Sequence, residues 1–169
     1  MSTARLSVAN AVDVAQRLDR EQAAVITPPS VFWPLAPGVD ITDGFGPRTA
    51  PTAGASTNHR GIDFAAPLGT PVRSVYGGVV ISTQPSDLGG CGLSVEVAHE
   101  FHGHSIVTRY CHLDTLAVQP GQQLSGGETL GTLGSSCVST GPHLHFELMV
   151  DGTHVDPQDW LGNNTKGWL

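Results

Sequence analysis

The segment from Gly141 to Val150 alternates apolar and ionisable side chains, as a strand does when one of its faces lies in a core. The apolar face carries Leu144, Phe146 and Leu148, and the opposite face carries His143, His145 and Glu147. Alternate residues of a strand lie about 6–7 Å apart, so both histidines can reach one metal ion, or one can bind the ion while the other acts on a substrate. An exposed edge strand with two solvated histidines is the alternative. Glu147 could orient a ligand, but a salt bridge is the simpler expectation.

His59 and Asp63 form a second candidate pair, four residues apart with Gly61 between them. A helix would place both on one face, but Gly61 and the prolines that follow disfavour a helix. On a straight strand the two residues would lie about 13 Å apart, too far for one ion. A bend at Gly61 would bring them together, since glycine permits such a bend. A local salt bridge between His59 and Asp63 is the simpler alternative.

His112 is a third candidate, at the end of a predicted strand in the segment Arg109-Tyr110-Cys111-His112-Leu113. If this segment alternates regularly, Tyr110 and His112 share one face, and Arg109 and Cys111 share the other. A half-exposed histidine at the end of a strand would give the same pattern without any chemical role.

Together these segments offer His59, Asp63 and His145 as three possible zinc ligands. Two imidazoles and one carboxylate with an open fourth position are typical of catalytic zinc, because structural zinc sites usually close with four protein ligands. Such an ion lowers the pKa of a water molecule toward neutrality and so generates a nucleophile. His112 and His143 would then remain as acid, base or oxyanion donor.

The composition indicates which elements must position these side chains. Charged residues make up only 14% of the chain, which holds 21 glycines and 12 prolines, as in a turn-rich β protein. Besides the segment at 141–150, short runs with strand character are separated by glycine turns: Val72–Tyr76, Val79–Thr83, Ser94–His99, Ser105–His112 and Thr129–Leu133. Asp151-Gly152 predicts a tight hairpin, and Asp156–Leu161 predicts a short closing helix. We therefore expect an all-β, antiparallel domain.

The first part of the chain differs from the rest in the spacing of its apolar residues. Ser7–Val25 has apolar residues near helical spacing, and Thr27-Pro28-Pro29-Ser30 would end a helix. We therefore predict a short N-terminal helix and proline-rich linker over residues 1–30, and the main domain over residues 31–169. Residues 1–25 contain no apolar stretch of the kind that a secretory signal requires, so export would need a leader from outside this sequence or another route.

Charge and apolar content disfavour several classes of partner. The net charge is −7 with a single lysine, Lys166, so neither nucleic acid nor an anionic membrane surface is expected as a partner. No segment approaches the roughly 20 apolar residues of a membrane-spanning helix. A biotinyl- or lipoyl-type carrier is disfavoured because Lys166 lies in the tail and not at a hairpin tip.

For the cysteines and the other histidines we expect structural roles. Cys91 and Cys137 lie in glycine- or serine-rich loops, and a disulfide between them would suit an exported protein. Cys111 would then stay a buried free thiol. Solvated turns are expected for the histidines that flank Gly103 and for the last one, namely His99, His102, His104 and His154.

Three ordered motifs carry a family resemblance. Asn58–Asp63 and Gly141–Glu147 resemble the paired signatures of lysostaphin-type zinc endopeptidases, the LytM family, and Tyr110-Cys111-His112-Leu113 matches that family's Tyr-x-His-Leu element. The similarity extends from about Phe32 to Leu161. It implies the duplicated-hybrid-motif fold of lysostaphin, in which antiparallel sheets form an open groove.

The resemblance also implies a function. One Zn²⁺ ion per chain would be held by His59, Asp63 and His145, with His112 and His143 catalytic, in a zinc metalloendopeptidase that hydrolyses the stem or cross-bridge of bacterial peptidoglycan. It further implies an extracellular or cell-wall location, and we expect a monomer. The scissile bond stays open, glycyl-glycine or D-alanyl-diaminopimelate, since specificity would lie in loops such as Thr49–Asn58. A non-catalytic cell-wall-binding or activator domain of the same fold is the alternative, and the related carboxypeptidase type is the enzymatic runner-up.

Overall fold

The computed structural model of the chain describes Asp13 and residues 30–51, 53–85, 90–136 and 141–165. The predicted N-terminal helix and most of the predicted linker lie outside these ranges, so the division at residue 30 stays a prediction. The strands are β1 (Ile41–Asp43), β2 (Gly46–Pro47), β3 (Asn58–His59), β4 (Gly61–Ala65), β5 (Pro71–Arg73), β6 (Gly78–Gln84), β7 (Leu93–Phe101), β8 (His104–Leu116), β9 (Gln123–Leu124), β10 (Thr129–Leu133), β11 (His143–Val150) and β12 (Thr153–Val155). They are followed by helix α1 (Pro157–Asn164).

The strands form one large antiparallel sheet and a small two-stranded one. The large sheet has the order β1-β4-β11-β8-β7-β6-β9, with β12 beside β11 and β10 beside both β5 and β8. The small sheet pairs β2 with β3. The predicted all-β antiparallel fold is confirmed. The longest strand, β8, lies between β7 and β11, so the predicted His112 and His143–Glu147 segments are sheet neighbours.

The apolar residues of β11 form part of the core, as their alternation predicts. Leu144, Phe146 and Leu148 are fully buried, and Phe64 of β4 lies beside them. Trp33 packs edge-on against Phe64 with ring centroids 6.2 Å apart. Because one face of β11 is fixed in this core, the histidine face of the strand is fixed as well.

The end of the domain also follows the predictions. Asp151 and Gly152 adopt positive φ values of 49° and 83° in the hairpin between β11 and β12. Helix α1 begins after Asp156, whose side chain accepts a hydrogen bond from the backbone N–H of Gln158, and its buried Leu161 joins the core. Among the described residues, no helix has the length and apolar character needed to cross a membrane.

The disulfide prediction is wrong. Cys91 is bonded to Cys111, whereas Cys137, the predicted partner, lies outside the described residues. The reason is strand pairing, because Leu93 at the start of β7 lies opposite Leu113 of β8 and the preceding residues therefore run past Cys111. Loop composition could not reveal this register.

The prediction for His99 is also wrong. Its side chain is 1% exposed, because β7 extends to Phe101 and carries His99 away from the turn. Its two ring nitrogens bond the carbonyl of Gly77 at 3.0 Å and the hydroxyl of Thr108 at 2.8 Å. These two partners satisfy the buried imidazole.

Candidate functional site

His59 and Asp63 meet because the chain changes sheets between them. His59 ends β3 in the small sheet, and Asp63 lies in β4 of the large sheet, with the break at Arg60. His59 Nε2 lies 3.2 Å from Asp63 Oδ1, so the predicted bend brings the pair together. A Cβ on Gly61 would overlap the carbonyl oxygen of Phe146 in β11, so only glycine allows the chain to follow this path without shifting the strand.

His145 completes the group from the neighbouring strand. It stands directly opposite Asp63 in the pairing of β11 with β4. Its Nδ1 lies 2.8 Å from Asp63 Oδ1 and 2.9 Å from His59 Nε2. The three possible ligand atoms lie within 4.8 Å of one another. Two imidazole nitrogens and one carboxylate oxygen at this spacing match the donor set of a catalytic zinc site.

Each member of this triad has an outer partner that fixes it. The carbonyl of Gly44 accepts a hydrogen bond from His59 Nδ1 at 2.7 Å, and Glu147 Oε1 accepts one from His145 Nε2 at 3.1 Å. Since a carbonyl can only accept, the proton of neutral His59 sits on Nδ1 and the Nε2 lone pair points into the triad. Asp63 Oδ2 faces Arg48 Nη1 at 3.5 Å.

Glu147 forms the expected salt bridge, and it also contacts a triad member. Its Oε2 lies 3.1 Å from Arg109 Nη1 and 3.1 Å from His154 Nε2. The expectation of a solvated His154 is therefore wrong. Because β12 pairs with β11, the ring of His154 lies against Glu147, and the His154 side chain is only 25% exposed.

The electrostatics of the triad favour a cation. Burial alone would raise the pKa of Asp63, but its close contacts with His145 and His59 outweigh that effect and hold the pKa well below its usual range. Burial likewise opposes the charge on Glu147, yet His145, Arg109 and His154 lower its pKa to about 2. Against the effect of its own burial, hydrogen bonds to Asp63 and Glu147 raise the pKa of His145 to about 9. Both carboxylates are thus ionised at neutral pH.

His112 reaches the same site through a bulge in β8. The step of two positions from Leu93 to Val95 in β7 lies opposite a step of three positions from Leu113 to Tyr110 in β8, and His112 itself has a φ of 62°. The regular alternation considered for this segment is therefore wrong. Tyr110 stays in the core against Phe146, whereas His112 lines the site.

The second histidine pair adjoins the triad. The rings of His112 and His143 have centroids 4.6 Å apart, and His112 lies 6.1 Å from His145. His112 Nδ1 donates to the carbonyl of Ser136 at 2.8 Å, and His143 Nδ1 donates to that of Gly141 at 2.9 Å. Burial, with a contribution from His143, lowers the pKa of His112 to about 4, so His112 is a neutral base at neutral pH.

All five predicted site residues thus lie at one place. Four of them, Asp63, His112, His143 and His145, line a cavity of about 650 Å³, whose walls also include Thr42, Arg48, Pro51, residues 54–56, Gly90, Gly141 and Pro142. Sequence reasoning missed Arg48, because no spacing pattern links it to Asp63 before the fold is known. It also missed Glu96, which is paired with Arg109 at 2.5 Å behind Glu147.

Comparison with known proteins identifies the family of the chain. A family model described as Peptidase family M23 matches residues 57–157. The chain is 35% identical over 119 residues to the peptidoglycan DD-endopeptidase ShyC of Vibrio cholerae, and 40% identical over 117 residues to the DD-carboxypeptidase/endopeptidase Mpg of Neisseria meningitidis. These alignments cover 70% and 69% of this chain but only 26% of each relative. The chain therefore corresponds to only about a quarter of the full length of these relatives.

Solved structures show the same fold. The catalytic domain of lysostaphin from Staphylococcus simulans superposes with a TM-score of 0.64 at 30% identity, covering 73% of this chain and 92% of that domain. A zinc-containing peptidase from Vibrio cholerae superposes with a TM-score of 0.65 at 36% identity, covering 76% of this chain and 39% of that one. With the matched residues spanning all three motifs of the site, the chain belongs to peptidase family M23.

Proposed function

We propose that this chain is a zinc-dependent metalloendopeptidase that hydrolyses peptide bonds in the stem or cross-bridge of bacterial peptidoglycan, outside the cell or at the cell wall. The observation that carries the proposal is the convergence of His59, Asp63 and His145 beside the pair His112 and His143. Membership of family M23 and the peptidoglycan endopeptidases among the relatives support it.

In this proposal, one zinc ion would be held by His59 Nε2, Asp63 Oδ1 and His145 Nδ1. The ion, when bound, supplies Lewis acidity and makes a water molecule acidic enough to attack at neutral pH. Gly44 and Glu147 bond the opposite nitrogens of the two imidazoles, so His59 Nε2 and His145 Nδ1 would be available to the ion.

His112 and His143 move protons and stabilise charge. Each donates its Nδ1–H to a backbone carbonyl, so in the neutral ring the lone pair lies on Nε2. One of them takes the proton of the attacking water on Nε2. The other enters the reaction as imidazolium, with its second proton taken up from solvent and kept throughout, and its Nε2–H donates a hydrogen bond to the oxygen of the scissile carbonyl. The proton then passes to the amine that leaves.

Muropeptide analysis tests the function. The protein is incubated with two purified peptidoglycans, one cross-linked directly between D-alanine and diaminopimelate and one cross-linked through glycine bridges, and the products are identified by mass. We expect cross-linked dimers of one type to become monomers, with a chelator stopping the reaction and zinc restoring it. Unchanged dimers in both substrates, for protein with bound zinc, would favour the non-catalytic binding or activator domain. Loss of terminal D-alanine alone would indicate a carboxypeptidase.

A further inference from the structure

The buried carboxylate of Glu147 connects His145 to a row of charges across the sheet. Its side chain is 9% exposed, and its two oxygens contact His145 on one side and both Arg109 and His154 on the other. A buried carboxylate requires such partners, because an ionised group loses its hydration on burial.

The row follows strand register. Glu96 of β7, Arg109 of β8 and Glu147 of β11 stand directly opposite one another in successive strands. Arg109 donates to Glu96 through Nε at 2.9 Å and to Glu147 through Nη1 at 3.1 Å. One guanidinium therefore holds the Glu147 carboxylate at a fixed place on the sheet.

The next position in the same row is Gly61 of β4, which lies opposite Glu147. A Cβ on Gly61 would come within 3.2 Å of Glu147 Cγ. The absence of a side chain on β4 thus leaves the room in which the Glu147 side chain extends toward His145.

The contact with His145 determines which ring nitrogen faces the triad. When a metal ion takes the place of the proton that Nδ1 shares with Asp63, the remaining Nε2–H of His145 is donated to Glu147, and the Nδ1 lone pair faces the place that His59 and Asp63 also face. Without the carboxylate, neither the tautomer nor the ring angle would be fixed, and binding a metal ion would have to order both.

We propose that Glu147 is a positioning residue that sets the metal affinity of the site through His145, and that Arg109 and Glu96 hold it in place. This inference rests on the proposed function, since it assumes that the triad binds zinc. A purely structural salt bridge would stabilise the fold and leave the metal affinity of the folded protein unchanged.

A measurement of zinc affinity distinguishes a positioning role of Glu147 from a purely structural salt bridge. Wild type, Glu147→Ala and Glu147→Gln are titrated with zinc against a chromophoric chelator at a temperature where each is folded by circular dichroism. We expect Glu147→Ala to bind zinc about 10–100-fold more weakly. Glu147→Gln should lose less, because its amide oxygen can still accept the His145 hydrogen bond. Glu128→Gln is the matched control, since this exposed carboxylate bonds only Ser125 among the described contacts, and it should bind zinc as wild type does.

The outcomes distinguish this inference from the proposed function. Equal affinity for wild type and both Glu147 variants would overturn the positioning role and leave the proposed function standing. A wild type that binds no zinc would overturn both. If Glu147→Ala does not fold, Glu147→Leu takes its place, since leucine fills a similar volume but accepts no hydrogen bond from His145, and a zinc affinity within twofold of wild type for that variant would count against the inference.

Discussion

Asp63 and His145 face each other directly across β4 and β11, and their side chains meet with Oδ1 of Asp63 2.8 Å from Nδ1 of His145. Directly opposed residues of an antiparallel sheet have little freedom to move apart. The relative position of two members of the triad is therefore set by the backbone of the sheet, and only His59 approaches from another sheet.

Gly61 allows this arrangement, and an alanine there should disrupt it. The new Cβ would overlap the Phe146 carbonyl and crowd Glu147, so we expect Gly61→Ala to lower the free energy of unfolding by about 2–3 kcal/mol, the upper end for overpacking. Urea denaturation of the metal-free protein measures this change.

Gly162→Ala serves as the control for that measurement. Gly162 lies in helix α1 with open space where a Cβ would stand, and alanine there should raise stability by about 0.5–1 kcal/mol. Equal stability changes for the two variants would show that close packing at Gly61 is unimportant.

Part of this site could be predicted from the sequence because its signals are local. The alternation of β11 predicts which face carries His143 and His145, and glycine between His59 and Asp63 permits the required bend. Glycine-separated apolar runs likewise predict most strands of the sheet.

The features that the sequence did not predict depend on register between distant strands. The bulge that turns His112 into the site appears only when β7 and β8 are paired, and the same pairing brings Cys91 to Cys111. The contact of Arg48 with Asp63 likewise depends on how the residue that follows β2 lies against β4 of the large sheet.

The disulfide should stabilise the domain. Cys91 and Cys111 are 20 residues apart, and closing a loop of that length stabilises by about 3 kcal/mol in the chain-entropy model. We expect Cys91→Ala/Cys111→Ala to lose about that much in urea denaturation, whereas Cys137→Ala keeps the bond. Peptide mapping of the intact protein without reductant provides the direct check, and a Cys91–Cys137 peptide would contradict the observed pairing.

His99 should make stability depend on pH. Burial lowers its pKa to about 4 from an ordinary value of 6.5, so the unfolded chain binds a proton that the folded chain resists. The contribution of neutral His99 to the free energy of unfolding is therefore fully present above about pH 6.5. As the pH falls toward 4, this contribution decreases by roughly 3 kcal/mol in total.

Urea denaturation at pH 7, 6 and 5, with chelator present, compares wild type with His99→Gln. The stability difference between the two proteins should shrink as the pH falls, because glutamine does not titrate. Parallel pH dependences for the two proteins would contradict a neutral, buried His99.

The most direct test of the central proposal measures bound zinc and released muropeptides on the same preparations of wild type, His145→Ala and His143→Ala. We predict one zinc per chain with cleavage for wild type, neither zinc nor cleavage for His145→Ala, and zinc without cleavage for His143→Ala. Full activity in either variant would contradict the assigned roles of His145 and His143.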